Sequence, residues 1–159
     1  MALPFYMTMV GDKTGNIEGF NSKVGHETEI QCHALEQRLY RPYNPETGQP
    51  TGVRIHGAVK VTKSFDKASP LLFHVLATGE NLSEVVMKFF RIDPSGEEVN
   101  YYTITLTNAT IVEIKPIMLN HFDEQMSRYD HMEEVHITYE KVEWRWEPDG
   151  ISAVDEAGA

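Results

Sequence analysis

Seven histidines and one cysteine are the side chains of this 159-residue chain best suited to metal binding or nucleophilic chemistry. Zinc sites use ligands at short, regular spacings. Only His121 with Asp123, or His131 with His136, comes near such a spacing. Cys32 stands alone, so an intrachain disulfide and a cysteine-based zinc site are excluded. We therefore expect no metal site, and no partner histidine can be identified that would make Cys32 a nucleophile.

The motifs that could support catalysis are incomplete. Glu97-Glu98 and Glu133-Glu134 are paired carboxylates, but neighbours on a strand point to opposite faces and cannot share a substrate. Asp12-Lys13-Thr14-Gly15 copies the phosphorylated-aspartate signature of cation-pumping ATPases, yet Asn16 follows where those enzymes have Thr, and their membrane spans are missing. We interpret this motif as a turn after the first strand, and we expect neither a catalytic site nor a cofactor.

Composition predicts a folded, acidic domain. Hydrophobic residues make up 41% of the chain, charged residues 24%, and the net charge is -10. Such a charge repels nucleic acid and anionic membranes, and no basic run compensates locally. The longest uncharged stretch, Ala68 to Gly79, is too short to span a bilayer, so we expect no membrane insertion. The first residues lack a positively charged n-region, so we expect synthesis in the cytoplasm without a signal peptide.

Alternating apolar and polar residues predict a mainly β fold. The clearest strand, Glu84 to Ile92, is apolar on both faces, which indicates a position between two layers or against a partner subunit. Asp93-Pro94-Ser95-Gly96 predicts a turn that leads into a strand from Val99 to Thr107. In Glu134 to Trp146 the apolar side changes near Glu140-Lys141, which predicts a β-bulge or a strand that moves between sheets. Further strands are predicted at Phe5 to Val10, Glu29 to Tyr40, Val53 to Ser64 and Thr110 to Met118.

One short helix is predicted, from Ser69 to Thr78. Ser69 suits the N-cap, Pro70 the first helical position, and Gly79 the C-terminal end. Many strands, one helix and no internal repeat predict a two-sheet β-barrel with this helix on its flank.

Two segments lack the pattern of a strand or helix. Arg41 to Gly52 is a long extended loop with four turn signals, and a loop of this length in a compact domain is usually functional or disordered. Residues 148–159 are small and acidic, and we expect a flexible acidic tail there. The single barrel domain would then cover residues 1–147.

Several separated segments resemble one family. The most specific is Phe65-Asp66-Lys67-Ala68-Ser69-Pro70-Leu71-Leu72, which joins a strand to the start of the helix. The others are Gly48 to His56, Thr78 to Leu82, Tyr101 to Leu106 and Glu134 to Tyr139. From Phe5 to Trp146 the chain resembles the Hcp (haemolysin-coregulated protein) family, the tube subunits of bacterial type VI secretion systems.

The resemblance implies a two-sheet barrel that forms a homohexameric ring, and rings that stack into a tube. The tube would be built in the cytoplasm inside a contractile sheath, carry a spike at its tip and leave the cell without a signal peptide. Effector proteins could travel in its lumen. No cofactor is implied.

The long loop is the expected contact with a neighbouring ring or subunit, because head-to-tail assembly needs two different complementary surfaces. The residues predicted for this interface are Tyr43, Asn44, Pro45, Gly48, Gln49, Pro50 and Val53.

The alternation of polar and apolar residues does not by itself identify the surface that lines the lumen. Strand Glu29 to Tyr40 has polar residues on both sides: Gln31, His33 and Gln37 on one, Glu36 and Arg38 on the other. Position in the family pattern favours Glu36 and Arg38 as lumen-facing.

Two other functions are compatible with a barrel. A phage-type contractile tail tube protein shares the barrel and the ring, whereas a small-ligand-binding or enzymatic barrel would enclose a pocket with a few polar groups. A barrel of this size is normally filled by its own side chains. A gel-filtration mass near six subunits would favour a tube protein, and a monomer would favour the binding barrel.

Overall fold

The computed structural model describes residues 3–157, and most of them lie in strands. The elements are β1 (Phe5–Gly11), β2 (Gly15–Ile17), β3 (Ile30–Glu36), β4 (Leu39–Tyr40), β5 (Ile55–His56), β6 (Val59–Ser64), α1 (Ser69–Thr78), β7 (Leu82–Ile92), β8 (Glu98–Ile117), β9 (Met132–Trp146) and β10 (Ile151–Glu156).

Six antiparallel strands close into a barrel in the order β9-β6-β3-β1-β7-β8, with β8 returning to β9. The predicted mainly-β barrel with a single short helix is thereby confirmed. The interior is filled by large apolar side chains, among them Met7, Ile30, Met87, Leu106 and Ile137, all with no exposed surface. No helix within residues 3–157 is long and apolar enough to cross a membrane.

Strands β8 and β9 bend together. The buried side of β8 changes between Leu106 and Ala109, and that of β9 changes opposite, between Tyr139 and Val142. Asn108 at this bend has φ = 51°, a left-handed conformation that asparagine tolerates better than most residues. The predicted change of side is therefore present as a bend shared by two strands. The separate predictions of strands at 99–107 and 110–118 merge into one continuous strand, and its register shifts later, between Ile111 and Glu113.

The second apolar face of β7 is partly covered by the chain itself. The ring of Phe90 packs edge-on against Tyr6 and His26, with centroids 5.6 Å and 4.9 Å away. The loop between β2 and β3 therefore supplies some of the burial that the sequence pattern assigns to a second layer or a partner.

Helix α1 covers Ser69–Thr78 as predicted, but its N-cap residue differs from the predicted one. Ala68 is the N-cap, and no side chain caps the helix. The hydroxyl of Ser69 instead donates to the buried Glu133 carboxylate at 2.7 Å and accepts from the Asp66 amide. The predicted N-cap role of Ser69 is wrong, because a buried carboxylate takes its hydroxyl. The predicted end at Gly79 is confirmed, since Gly79 adopts φ = 69° as the C-cap.

The predicted flexible tail is wrong for residues 151–156, which form β10 and pair with β9 from Ile151–Trp146 to Glu156–Lys141. Pro148-Asp149-Gly150 makes the reversal: the Trp146 indole donates to Asp149, and Gly150 takes φ = 65°. A Pro-Asp-Gly stretch between apolar runs is a turn signal, and it could have revealed this hairpin. Residues 158 and 159 of the predicted tail lie outside the described part of the chain.

Candidate assembly surfaces

The long loop is an ordered β-ribbon, which we define as residues 38–57. Strands β4 and β5 pair Leu39 with His56 and Tyr40 with Ile55, and the Gly57 amide donates to the Arg38 carbonyl at 2.8 Å. Strand pairing at the base, and the hydrogen bond from the Thr51 amide to the Pro42 carbonyl nearer the tip, hold the two limbs together.

The tip of the ribbon contains all but one of the residues predicted for the interface. Tyr43 bridges to Pro50, the Asn44 amide donates to Gln49, and the Gly48 amide donates to Asn44. The Asn44 side chain accepts from the Glu46 amide at 2.8 Å, so the tip is closed by its own hydrogen bonds. Tyr43 is 64% exposed, and Val53, on the returning limb, is 76% exposed. These two large apolar side chains are therefore accessible to solvent on the projecting part of the chain.

Strand β10 anchors the base of the ribbon. Asp155 accepts from Arg54 Nε at 2.5 Å and lies 2.7 Å from His56 Nε2, while His56 Nδ1 lies 2.6 Å from the Tyr139 hydroxyl. The Arg54 guanidinium also donates to the Glu156 carbonyl. The Arg54 hydrogen bond, with His56 adding to it, lowers the pKa of Asp155 to about 2. The cluster is not evident from the amino-acid sequence, because the small, acidic composition of residues 148–159 predicts a tail there.

A second candidate surface lies where β6 meets α1. An open cleft of about 330 Å³ is formed there by six residues, which we call the helix cleft: Phe65, Asp66, Ser69, Pro70, Phe73 and Glu133. Phe65 is 50% exposed and Phe73 is 40% exposed.

A buried ion pair forms the floor of the helix cleft. Lys63 Nζ contacts Glu133 Oε1 at 2.5 Å, and both side chains are buried. The ammonium also donates to Ser69 and to a backbone carbonyl, and it pairs with Asp66. Glu133 Oε2 has no hydrogen-bond partner, so the floor keeps one unused acceptor.

The two predicted lumen residues lie in different elements. Glu36 is exposed at the end of β3, opposite Lys60 of β6. Arg38 follows the strand, at the ribbon base, and stacks over the Tyr40 ring. Gln37 between them turns inward and bonds Tyr139 and Trp144.

The structure shows where the residues considered for catalysis or metal binding lie. The Asp12–Gly15 segment joins β1 to β2, as predicted, and Lys13 and Thr14 donate to Glu80. The Thr14 amide is the main reason that the pKa of Glu80 is lowered. Cys32 is buried in the core, which raises the pKa of its thiol. Within residues 3–157 no three His, Cys, Asp or Glu side chains converge as a metal-binding set.

Comparison with known proteins identifies the family. Residues 6–146 match the family model described as "Type VI secretion system effector, Hcp". The chain is 39% identical to the "Major exported protein" of Pseudomonas aeruginosa, over 98% of this chain and 96% of the relative. Its fold is similar to Hcp1 of E. coli EAEC 042 (TM-score 0.87, 32% identity) and to secreted protein Hcp3 of P. aeruginosa (0.80, 33%). Each match covers 98% of this chain and 99% of the other.

The chain therefore belongs to the Hcp family, whose members are exported structural proteins of type VI secretion that assemble into rings. Of the functions considered from the sequence, the tube subunit is the one that these matches support.

Proposed function

We propose that this protein forms homohexameric rings that stack into the inner tube of a type VI secretion apparatus, and that it acts by assembly without catalysing a reaction. The observation that carries the proposal is the ribbon: an ordered, partly apolar projection that is anchored to the barrel at its base by Arg54 and His56 and exposes Tyr43 and Val53 beyond it. Such a projection is suited to contact another copy.

The proposed tube implies three further kinds of partner: a sheath, a spike protein and effector proteins. The rings assemble in the cytoplasm inside a contractile sheath, the tube carries a spike protein at its tip, and the tube is expelled from the cell. Effector proteins travel in the lumen. The filled barrel core supports this role over a small-ligand-binding barrel, because a ligand would have to displace core side chains.

The experiment is to shorten the ribbon. Replacing Asn44–Gln49 by Asn-Gly closes the hairpin directly after the Tyr43–Pro50 bridge. We expect light scattering to give the mass of six subunits for wild type and variant, while electron microscopy shows tubes only for wild type. Secretion of the variant should fall.

Val24→Ser is the matched control, because Val24 is 88% exposed outside the ribbon. It should leave rings, tubes and secretion unchanged. A monomeric wild type would refute the ring, and normal tubes from the shortened variant would refute the role of the ribbon.

We further propose that Glu36 and Arg38 face the lumen. The exposure of Glu36 and its place opposite Lys60 support this, since alternating charges on an outward sheet face suit a water-filled channel. Glu36→Lys should alter the stability or secretion of effectors without changing the ring mass. If neither effector property changed, Glu36 would not be a lumen residue.

A further inference from the structure

We propose that the helix cleft is the receptor for the ribbon of a copy in the adjacent ring. This inference rests on the proposed stacking of rings into a tube, and it names the two surfaces that meet in it. The ribbon supplies the projecting apolar tip, and the cleft supplies the exposed rings of Phe65 and Phe73.

The two surfaces lie at opposite ends of the barrel. Strand β6 begins at Val59, next to the ribbon base at Gly57, and ends at Ser64, next to the cleft. Six residues of β strand separate the ends by roughly 17–20 Å. The neighbouring strand β9 extends between the same two ends, because Ile137 pairs with Val59 at the ribbon end and Met132 pairs with Ser64 at the cleft end. When copies are stacked head to tail, the ribbon end of one faces the cleft end of the next, which is the geometry of an open-ended tube.

The ribbon end and the cleft end of the barrel also carry charges of opposite sign. The ribbon is cationic although the chain has a net charge of -10. Its charged residues are Arg38, Arg41, Arg54 and Glu46. Arg54 pairs with Asp155 at the base, so the exposed Arg38 and Arg41 give the ribbon its positive charge. The segment from 118 to 131, which we call the acidic loop, borders the cleft through the 3.1 Å bond from the Phe65 amide to the His131 carbonyl. Its Asp, Glu and Arg residues are Asp123, Glu124, Arg128 and Asp130. Opposite signs at the two ends favour head-to-tail pairing and disfavour pairing of like ends.

Apolar chemistry also matches. Most of the exposed large apolar side chains within residues 3–157 belong to the ribbon or to the cleft end. They are Leu39, Tyr40, Tyr43, Val53 and Ile55 on the ribbon, and Phe65, Leu71, Phe73, Met118, Phe122, Met126 and Tyr129 at the cleft end.

Disulfide trapping tests the contact. Two variants with one added cysteine each, Tyr43→Cys and Phe73→Cys, are prepared separately, mixed under assembly conditions and oxidised, so that a disulfide joins different copies. A second pair uses Val53→Cys with Phe65→Cys. The native Cys32 does not interfere, because its thiol is fully buried. We expect a covalent dimer from at least one pair, at least about tenfold above a control that mixes Tyr43→Cys with Val24→Cys. Lys23 next to Val24 pairs with Glu98, away from the cleft end.

A second experiment tests this contact independently of whether the protein forms tubes. Phe73→Glu should keep the six-subunit mass but weaken stacking at least about tenfold, the effect expected for one central interface residue. Tubes by electron microscopy without either disulfide would overturn the inference and leave the proposed function standing. If Phe73→Glu formed normal tubes but lost sheath or effector binding, the cleft would serve that partner instead. A wild type that formed no tubes would refute the proposed function and this contact together.

Discussion

Lys63 and Glu133 form an ion pair from which water is excluded. Both side chains are buried, and Ser69 completes the network from the first turn of α1. Removing charges from water costs several kcal/mol, so such a pair is retained only with good geometry and additional hydrogen bonds. Its position fixes the helix against β6 and β9 and thereby shapes the helix cleft.

Loss of one partner should therefore be costly. Lys63→Met leaves the Glu133 carboxylate buried without its cation, and we expect the free energy of unfolding to fall by about 3–5 kcal/mol. Urea denaturation followed by tryptophan fluorescence measures the change. The double variant Lys63→Met/Glu133→Leu, which removes both charges, should recover most of the loss. A double variant as unstable as the single one would contradict this account.

Asp155 gives the fold a defined acid sensitivity. Because Arg54 and His56 lower the pKa of Asp155 to about 2 in the folded state, its contribution is complete above the ordinary aspartate range near pH 4. It is lost as the pH falls from about 4 towards 2. The stability difference between wild type and Asp155→Asn should therefore be constant from pH 5 to 7 and approach zero near pH 2. Glu156→Gln, an exposed neighbour on β10, is the control, and a difference independent of pH would contradict the prediction.

At the scale of elements, the shared bend of β8 and β9 depends on one backbone conformation. Asn108 has φ = 51°, and its side chain donates to Glu140 at 3.0 Å. Asn108→Gly should change the free energy of unfolding little, because glycine adopts positive φ freely. Asn108→Val should cost about 1–2 kcal/mol more than Asn108→Gly. Thermal unfolding of the two variants, compared directly, checks the order, and equal midpoints would show that the bend tolerates any residue.

Strand β10 joins the stability of the barrel to that of the ribbon. Removal of residues 148–159 should lower the free energy of unfolding by about 2 kcal/mol or more, a fall of at least ~4 °C in Tm. It should also release Arg54 from Asp155, so that trypsin cleaves faster after Arg54. Gly150→Ala is the milder control, since a non-glycine residue at φ = 65° costs about 1 kcal/mol. An unchanged Tm and cleavage rate after truncation would show that β10 has no such role.

The sequence predicted elements well where local chemistry determines them. Alternation placed the long strands, Gly79 ended the helix, and the Gly96 amide bonds the Asp93 carbonyl in the predicted turn. Features that depend on distant partners could not be predicted. Asp155 contacts Arg54 across 101 residues, and Lys63 contacts Glu133 across 70. The helix cleft could not be predicted for a related reason: Glu133 completes it from β9 and reaches residues 65–73 only because β9 lies beside β6.

At the scale of the whole molecule, charge is separated along the barrel, with a cationic ribbon at one end and the acidic loop at the other. This local attraction acts against the repulsion between subunits that each carry a net charge of -10. Salt screens both, since the Debye length falls from about 10 Å at 0.1 M to about 3 Å at 1 M. Arg41→Gln should therefore slow the initial rate of tube growth, followed by light scattering, more at 0.05 M than at 0.5 M NaCl. An equal effect of the substitution at both salt concentrations would show that the charge of the ribbon does not assist stacking.

The ladder between β8 and β9 extends from Tyr102–Trp146, on the ribbon side, to Ile117–Met132, beside the cleft. A force applied between the two ends of the barrel loads this ladder in shear, so its backbone hydrogen bonds share the load and do not open one after another. A force transmitted from ring to ring through the ribbon and the cleft would act along the β8–β9 ladder. This is the direction in which the subunit resists deformation best. Each subunit would then resist force along the tube axis as well as form part of the tube wall.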